Sequence, residues 1–156
     1  MQNSNQINDI ISNQTWTPTP FYKATSLSNK LSLNLWLKRE DCTPIGSFKI
    51  RGALIAMDSL STTIPAAGVC VASAGNYGLA ISTAGEIHGI KATVFVPENA
   101  TRSKVEKIRL TGAKVIQQGI DFDTAKNEAR IYAESNKMLF WEDGVLDEMV
   151  CGSSTI

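Results

Sequence analysis

The chain has 156 residues and a mass of 16.9 kDa, about one domain on a scale of roughly 150 residues per domain, so large multidomain architectures are excluded. Charged side chains make up 19% of the residues, and 15 basic residues offset 15 acidic ones, so the composition lacks the basic excess of proteins that bind nucleic acid or anionic membranes. Hydrophobic residues account for 43% of the chain, which is enough for a buried core.

Residues 1–20 lack the basic start and the apolar stretch of a signal peptide, so we expect a cytoplasmic location. The segment 59–85 contains no charged side chain, but its many small polar residues make it too polar for a membrane span. Three scattered cysteines, Cys42, Cys70 and Cys151, form neither a disulfide framework nor a zinc motif. We therefore expect reduced thiols, no metal site and no membrane partner.

Two periodic segments precede residue 68, whereas residues 1–16 show no strong period. Leu33 to Lys38 alternates like a strand, and Phe48 to Leu60 has the 3.6-residue period of a helix.

From residue 68 onward, short apolar runs alternate with helical patterns, which is typical of βαβ units and a parallel sheet. The predicted buried strands are 69–72, 92–96, 113–116 and 138–141, and the predicted helices are 76–88, 101–111 and 121–136. Ser103 and Glu106 have the spacing of a capping box. The predicted fold class is α/β, an open parallel sheet with flanking helices.

Several common catalytic and binding motifs are absent. The sequence contains no G-x-S-x-G, no G-x-G-x-x-G and no G-x-x-x-x-G-K-[ST], so a serine hydrolase elbow, a dinucleotide fingerprint and a nucleoside-triphosphate loop are not supported. The single histidine, His88, lies at a predicted helix end, where the helix dipole accounts for a basic residue without any catalytic role.

Lys49 follows a Gly-Ser bend and lies in the first turn of a predicted helix. The positive end of the helix dipole and the apolar neighbour Phe48 both disfavour a charged amine, which favours the free amine that forms a Schiff base. Spacing alone, however, favours an ordinary solvated lysine at a helix start.

A second segment, Ser73-Ala74-Gly75-Asn76, joins a predicted parallel strand to a helix. Ligands of open α/β sheets bind outside the carboxyl ends of the strands, and free backbone N–H groups at a helix start can hold an anion such as a carboxylate, with Asn76 as the helix cap. An ordinary βα turn would look the same.

The two segments together are more specific than either alone. Gly-Ser-Phe-Lys-Ile-Arg-Gly-Ala at 46–53, followed by Ser-Ala-Gly-Asn at 73–76, resembles the fold-type II pyridoxal-phosphate enzymes, and the threonine and serine dehydratases above all. Further matching stretches are 19–21 with 27–28, 89–94 with 96–98, and 104–105 before 112–115. The resemblance extends over nearly the whole chain from about Thr17.

The resemblance implies pyridoxal 5'-phosphate as the cofactor, with Lys49 as its Schiff-base residue and Phe48 against its ring. It also implies that Ser73, Ala74, Gly75 and Asn76 grip the carboxylate of the substrate, and that Asn76 reaches the phenolic oxygen of the cofactor. The expected reaction is the conversion of threonine or serine to a 2-oxo acid and ammonia, with Lys49 as the proton shuttle and the cofactor as the electron sink.

Three features depart from the pattern of the family. Tyr77 stands where many relatives have histidine, and Ala74 stands where racemases carry a proton-exchanging serine, which disfavours racemisation. Residues 151–156 resemble the glycine-rich threonine segment of the family only imperfectly. The phosphate-binding loop that normally follows this point is missing, so we expect an N-terminal fragment or a truncated product.

The resemblance also implies a division of the chain. We expect residues 1–52 to belong to a large domain, 53–145 to form a small α/β domain and 146–156 to return to the large domain. The alternatives that stay open are a pyridoxal-phosphate dependent replacement enzyme such as threonine synthase, and an inactive chain or one part of a two-piece assembly. The partners that we expect are a small amino-acid substrate and, for a full-length protein, further copies of the same chain.

Overall fold

A computed structural model describes residues 4–156. Its helices are Ser4–Ser12 (α1), Thr25–Leu31 (α2), Lys49–Leu60 (α3), Asn76–His88 (α4), Arg102–Arg109 (α5), Phe122–Ser135 (α6) and Asp147–Ser153 (α7). Its strands are Phe21–Lys23 (β1), Trp36–Lys38 (β2), Val69–Ala72 (β3), Ala92–Val96 (β4), Lys114–Gln117 (β5) and Leu139–Trp141 (β6). A short 3-10 turn spans Glu40–Cys42.

Four strands form one parallel sheet in the order β5-β4-β3-β6, which confirms the predicted α/β fold class. The two central strands are buried along their whole length. The prediction that all four strands are buried was wrong for β5 and β6, which have exposed residues because they lie at the edges of the sheet.

The two faces of the sheet are covered by different helices. Val69 and Val71 of β3 pack into the larger core with α3 and α4. Cys70 and Ala72, which alternate with them, pack against Ala129 of α6 and its neighbours. This alternation is the two-residue period of a strand, and it shows why β3 reads as a continuous apolar run: both of its faces are covered.

The helix ends confirm one predicted end and correct one predicted cap. The carboxylate of Asp121 accepts a hydrogen bond from the backbone N–H of Thr124 at 2.8 Å and caps α6. In contrast, the predicted capping box at Ser103 and Glu106 is wrong. Helix α5 begins at Arg102, ahead of Ser103, and the residue before Arg102 makes no capping hydrogen bond with its side chain. His88 ends α4 as predicted.

The N-terminal segment is more regular than its sequence indicates. Helix α1 buries Ile11 in the main core, and β1 and β2 form an antiparallel pair. Phe21 and Trp36 stack on this pair, with ring centroids 5.3 Å apart, and stay 63% and 53% exposed. The predicted strand from Leu33 to Lys38 is shortened to its last three residues.

Helix α7 packs closely on α3, with glycines at the contact. A Cβ on Gly52 would lie 2.6 Å from the carbonyl oxygen of Met149, and one on Gly152 would lie 2.7 Å from the carbonyl oxygen of Arg51. The two helices can approach this closely only because Gly52 and Gly152 have no side chain. The predicted division at residues 52/53 and 145/146 stays a prediction.

A buried ion pair ties the segment after β2 to α3. The guanidinium of Arg51 donates to both carboxylate oxygens of Glu40, at 2.8 and 2.9 Å, and also to Thr155. The side chains of Arg51 and Glu40 are only 3% and 12% exposed. Such a pair fixes geometry more than it adds stability, because both charges lose their hydration.

Within residues 4–156, every helix is too short or too polar to cross a bilayer.

Candidate functional site

The bend before α3 is held by one side chain. Thr43 donates its hydroxyl to the carbonyl of Ser47 and accepts from the N–H of Ser47, both at 2.9 Å. Gly46 within this bend has φ +68°, a conformation that favours glycine. The bend places Lys49 as the first residue of α3, in the first helical turn as the sequence predicted.

The amine of Lys49 lies between two aromatic rings and a carboxylate. Its Nζ is 5.7 Å from the ring centroid of Phe48 and 6.0 Å from that of Tyr77. Both carboxylate oxygens of Asp143, in the loop after β6, accept from the Nζ at 2.7 Å. The expectation from the sequence considered only the dipole and Phe48, which disfavour a charged amine. The structure adds Asp143 as an ion-pair partner of this amine.

A cavity of about 170 Å³ opens beside this amine. It is lined by Lys49, Gly52 and Ala53 of α3, by Tyr77 of α4, by Asp143 and Gly144, and by Met149, Val150 and Ser153 of α7. The site therefore forms where three segments distant in sequence meet, at the carboxyl side of the sheet, as expected for ligand sites of open α/β sheets.

Tyr77 contributes a buried hydroxyl to the site. Its side chain is 5% exposed, and its hydroxyl has no hydrogen-bond partner among the described residues. Burial, together with the negative charges of Asp143 and Glu142, raises the pKa of Tyr77 well above its usual value. The phenol is thus a protonated donor at neutral pH, and a buried donor without a partner carries a free-energy penalty that a bound acceptor would remove.

The turn at 73–76 lies next to Tyr77 but does not line the cavity. The N–H of Gly75 donates to Ser73 Oγ at 3.2 Å, which folds the turn on itself. A Cβ on Gly75 would meet nothing within 4 Å, so the space in front of the turn is open. The predicted cap is wrong: Asn76 is the first residue of α4, and Gly75 precedes it without a side-chain cap.

The structure thus places the predicted site residues in two neighbouring groups. Phe48 and Lys49 adjoin the cavity, and Ser73, Ala74, Gly75 and Asn76 form the turn that leads into Tyr77. Gly78 has no side chain, which allows this turn to lie close to α4. A Cβ at Gly78 would lie 2.6 Å from the carbonyl oxygen of Ser73. The roles of these residues toward a cofactor and a substrate stay predictions.

Sequence reasoning missed Asp143 and the contribution of α7. The available signal was the position of Asp143 two residues after a predicted strand, near where ligand-facing residues of such sheets are found. Within residues 4–156, no group of three or more histidine, cysteine, aspartate or glutamate side chains is arranged to hold a metal ion.

Comparison with known proteins gives consistent matches. A family model described as "Pyridoxal-phosphate dependent enzyme" matches residues 13–156. L-threonine dehydratase biosynthetic IlvA of Haemophilus influenzae is 40% identical over 122 residues, 78% of this chain and 24% of that protein. L-threonine dehydratase biosynthetic IlvA of Halalkalibacterium halodurans is 35% identical over 159 residues, 97% of this chain and 38% of that protein.

Solved structures also match over 97% of this chain. The processed form of threonine deaminase isoform 2 from Solanum lycopersicum has a TM-score of 0.81 at 27% identity, and maize serine racemase has 0.88 at 25%. In each case this chain covers 46% of the other chain. The chain therefore spans less than half the length of these relatives.

Proposed function

Because this chain belongs to the family of pyridoxal-phosphate dependent enzymes, we propose that its residues serve the deamination of threonine or serine to a 2-oxo acid and ammonia. The observation that carries the proposal is the position of Lys49, whose amine lies beside a cavity that it shares with Tyr77. A lysine amine can form a Schiff base with an aldehyde cofactor, and this one lies at the carboxyl side of a parallel sheet, where ligands of such sheets bind.

The residues around the cavity fit an aromatic, aldehyde-bearing cofactor. Lys49 supplies the amine, the ring of Phe48 is 39% exposed and lies beside that amine, and the buried hydroxyl of Tyr77 lacks an acceptor among the described residues. A planar cofactor with polar ring substituents would cover the exposed ring and provide an acceptor for the hydroxyl.

The chemistry divides between the cofactor and the chain. When bound, pyridoxal phosphate supplies the electron sink that makes the α-proton of an amino acid removable. In our proposal, Lys49 would hold the cofactor through its amine, and its Nζ would take the α-proton of the substrate. Its place at the start of α3 keeps the nitrogen within the same site throughout.

The turn at 73–76 has the role of holding the substrate carboxylate. Its backbone N–H groups lie at the start of α4, where the helix dipole favours an anion. The open space in front of Gly75 leaves room for the substrate, and the absence of a side chain at Gly78 lets the turn lie close to the helix. Ala74 has no proton to exchange, so we propose elimination rather than racemisation.

Labelling of Lys49 tests the proposal. The protein is incubated with pyridoxal phosphate, reduced with borohydride and digested, and the cofactor-bearing peptide is identified by mass spectrometry. We expect the label at Lys49 and its loss in Lys49→Ala. Lys114→Ala is the matched control, because Lys114 is a lysine of β5 that bonds to Tyr132 instead of the site.

Product analysis then separates the proposed reaction from its alternative. Release of a 2-oxo acid from threonine or serine supports deamination, whereas a labelled Lys49 without this product points to a replacement enzyme or an inactive chain. No label at Lys49 in the folded protein contradicts the proposal. A cytoplasmic location and a homo-oligomeric state remain predictions.

A further inference from the structure

We propose that Asp143 is a positioning residue for Lys49: its carboxylate holds the amine while the site is empty and competes for it with an incoming aldehyde. This inference rests on the proposed role of Lys49. It concerns the step before any ligand is bound, when the amine has to leave one partner to react with another.

The contact is specific to one of two adjacent acids. Both oxygens of Asp143 accept from the Nζ of Lys49 at 2.7 Å, across 94 residues of sequence. The neighbouring Glu142 instead accepts from Lys126 and Arg130 of α6. Glu142 is thus bound on the α6 side, and Asp143 is the carboxylate that accepts from the amine of the cavity.

The surroundings of the amine limit it to few positions. The rings of Phe48 and Tyr77 lie 5.7 and 6.0 Å from the Nζ, and Asp143 lines the same cavity. A lysine side chain otherwise has many rotamers. The carboxylate therefore keeps the nitrogen at the cavity, where an incoming carbonyl meets it.

The ion pair between Lys49 and Asp143 also slows the reaction of the amine with an aldehyde. The ammonium must first release one proton to solvent. The neutral amine then bonds to the aldehyde carbon, and its two hydrogens leave with the carbonyl oxygen as water. Both oxygens of Asp143 accept from the Nζ at 2.7 Å, so these hydrogen bonds must break before the nitrogen can bond to the carbonyl carbon.

Solvent weakens the ion pair between Lys49 and Asp143. The side chains of Lys49 and Asp143 are 31% and 47% exposed, and partly exposed ion pairs are weak and sensitive to salt. A contact of this strength can be broken by a ligand. Its removal should change the rate of amine capture by about two- to five-fold.

Reductive methylation with formaldehyde and cyanoborohydride measures this rate without the cofactor. The methylation of Lys49 is followed by mass spectrometry and compared with that of Lys114 in the same protein. We expect Asp143→Asn to raise the Lys49 rate about two- to five-fold, Asp143→Glu to stay closer to wild type because it keeps the charge, and Glu142→Gln to leave the rate unchanged.

Salt gives a second readout of the ion pair. Added sodium chloride should raise the Lys49 rate of the wild type and have little effect on Asp143→Asn, because formaldehyde is uncharged and only the ion pair is screened. Equal or slower methylation in Asp143→Asn, or the same increase in Glu142→Gln, would overturn the inference.

Pyridoxal phosphate as a second probe separates this inference from the proposed function. If formaldehyde distinguishes the variants but pyridoxal phosphate labels Lys49 in none of them, the hold by Asp143 stands and the proposed function fails. If pyridoxal phosphate labels Lys49 in all variants while the formaldehyde rates are equal, the proposed function stands and the inference about Asp143 fails.

Discussion

Replacing Gly52 with alanine places a methyl group where α3 and α7 touch. The new Cβ would lie 2.6 Å from the carbonyl oxygen of Met149 and 3.1 Å from the Oγ of Ser153. The hydroxyl can rotate away, but the carbonyl belongs to the backbone of α7. The helix itself must therefore move away from α3, and it carries part of the cavity wall with it.

Two effects of the Gly52→Ala change have opposite signs. Alanine favours a helix over glycine by about 1 kcal/mol, whereas overpacking a well-packed contact costs about 1–3 kcal/mol. The short contact is with backbone, so we expect the clash to lie in the upper part of that range, about 2–3 kcal/mol, and to dominate. The free energy of unfolding should fall by about 1–2 kcal/mol, which lowers Tm by about 2–8 °C for a chain of this size.

Urea unfolding followed by tryptophan fluorescence measures this change, since Trp141 is buried in the core. Cys151→Ala is the control, because Cys151 is exposed on α7 and should change stability by less than about 0.5 kcal/mol. A Gly52→Ala protein that is as stable as wild type, or more stable, would refute the argument that α7 lies against the backbone of α3.

Three further predictions use the ion pair, a helix cap and a thiol. Burial alone would raise the pKa of Glu40, but hydrogen bonds from Arg51 and Thr19 and the nearby positive charges together lower it. The ion pair of Glu40 therefore contributes its full stabilisation above the pKa of an unfolded glutamate, about 4.3, and loses it as the pH falls through the lowered pKa of the folded state. Acid titration of stability should accordingly show a steeper loss in wild type than in Glu40→Gln, and equal slopes would contradict this. Asp121→Ala should cost about 1 kcal/mol in urea unfolding, because it leaves an N–H of α6 without its cap; no loss would mean that the cap is not formed. Burial raises the pKa of Cys70 to about 12, so iodoacetamide should alkylate the two exposed cysteines in the folded protein and reach Cys70 only after unfolding, and early alkylation of Cys70 would show that β3 is not covered by α6.

The parallel sheet could be predicted because its signals are local. The strands from Val69 to Ala72 and from Ala92 to Val96 have the predicted bounds, and so does the helix from Asn76 to His88. Runs of β-branched residues and a 3.6-residue apolar period depend on a few neighbouring side chains. Burial of β5 and β6 could not be read in this way, since only the order of strands decides which ones lie at an edge.

The short elements of the chain were missed for a related reason. Helices α2 and α7 have seven residues each, and α1 has nine. Helices of this length are marginal by themselves and form because tertiary packing covers one of their faces. Ile11 of α1 and Met149 of α7 provide that packing in the core.

The sequence by itself determined the fold class, the family and the two segments around Lys49 and Ser73, because these rest on local periodicity and on motifs read along the chain. The tertiary structure alone decided which groups surround the amine. Asp143 is 94 residues away from Lys49, and Tyr77 lines the same cavity as both of them. Contacts between residues far apart in sequence depend on how the helices and strands pack, and local sequence patterns do not specify that packing.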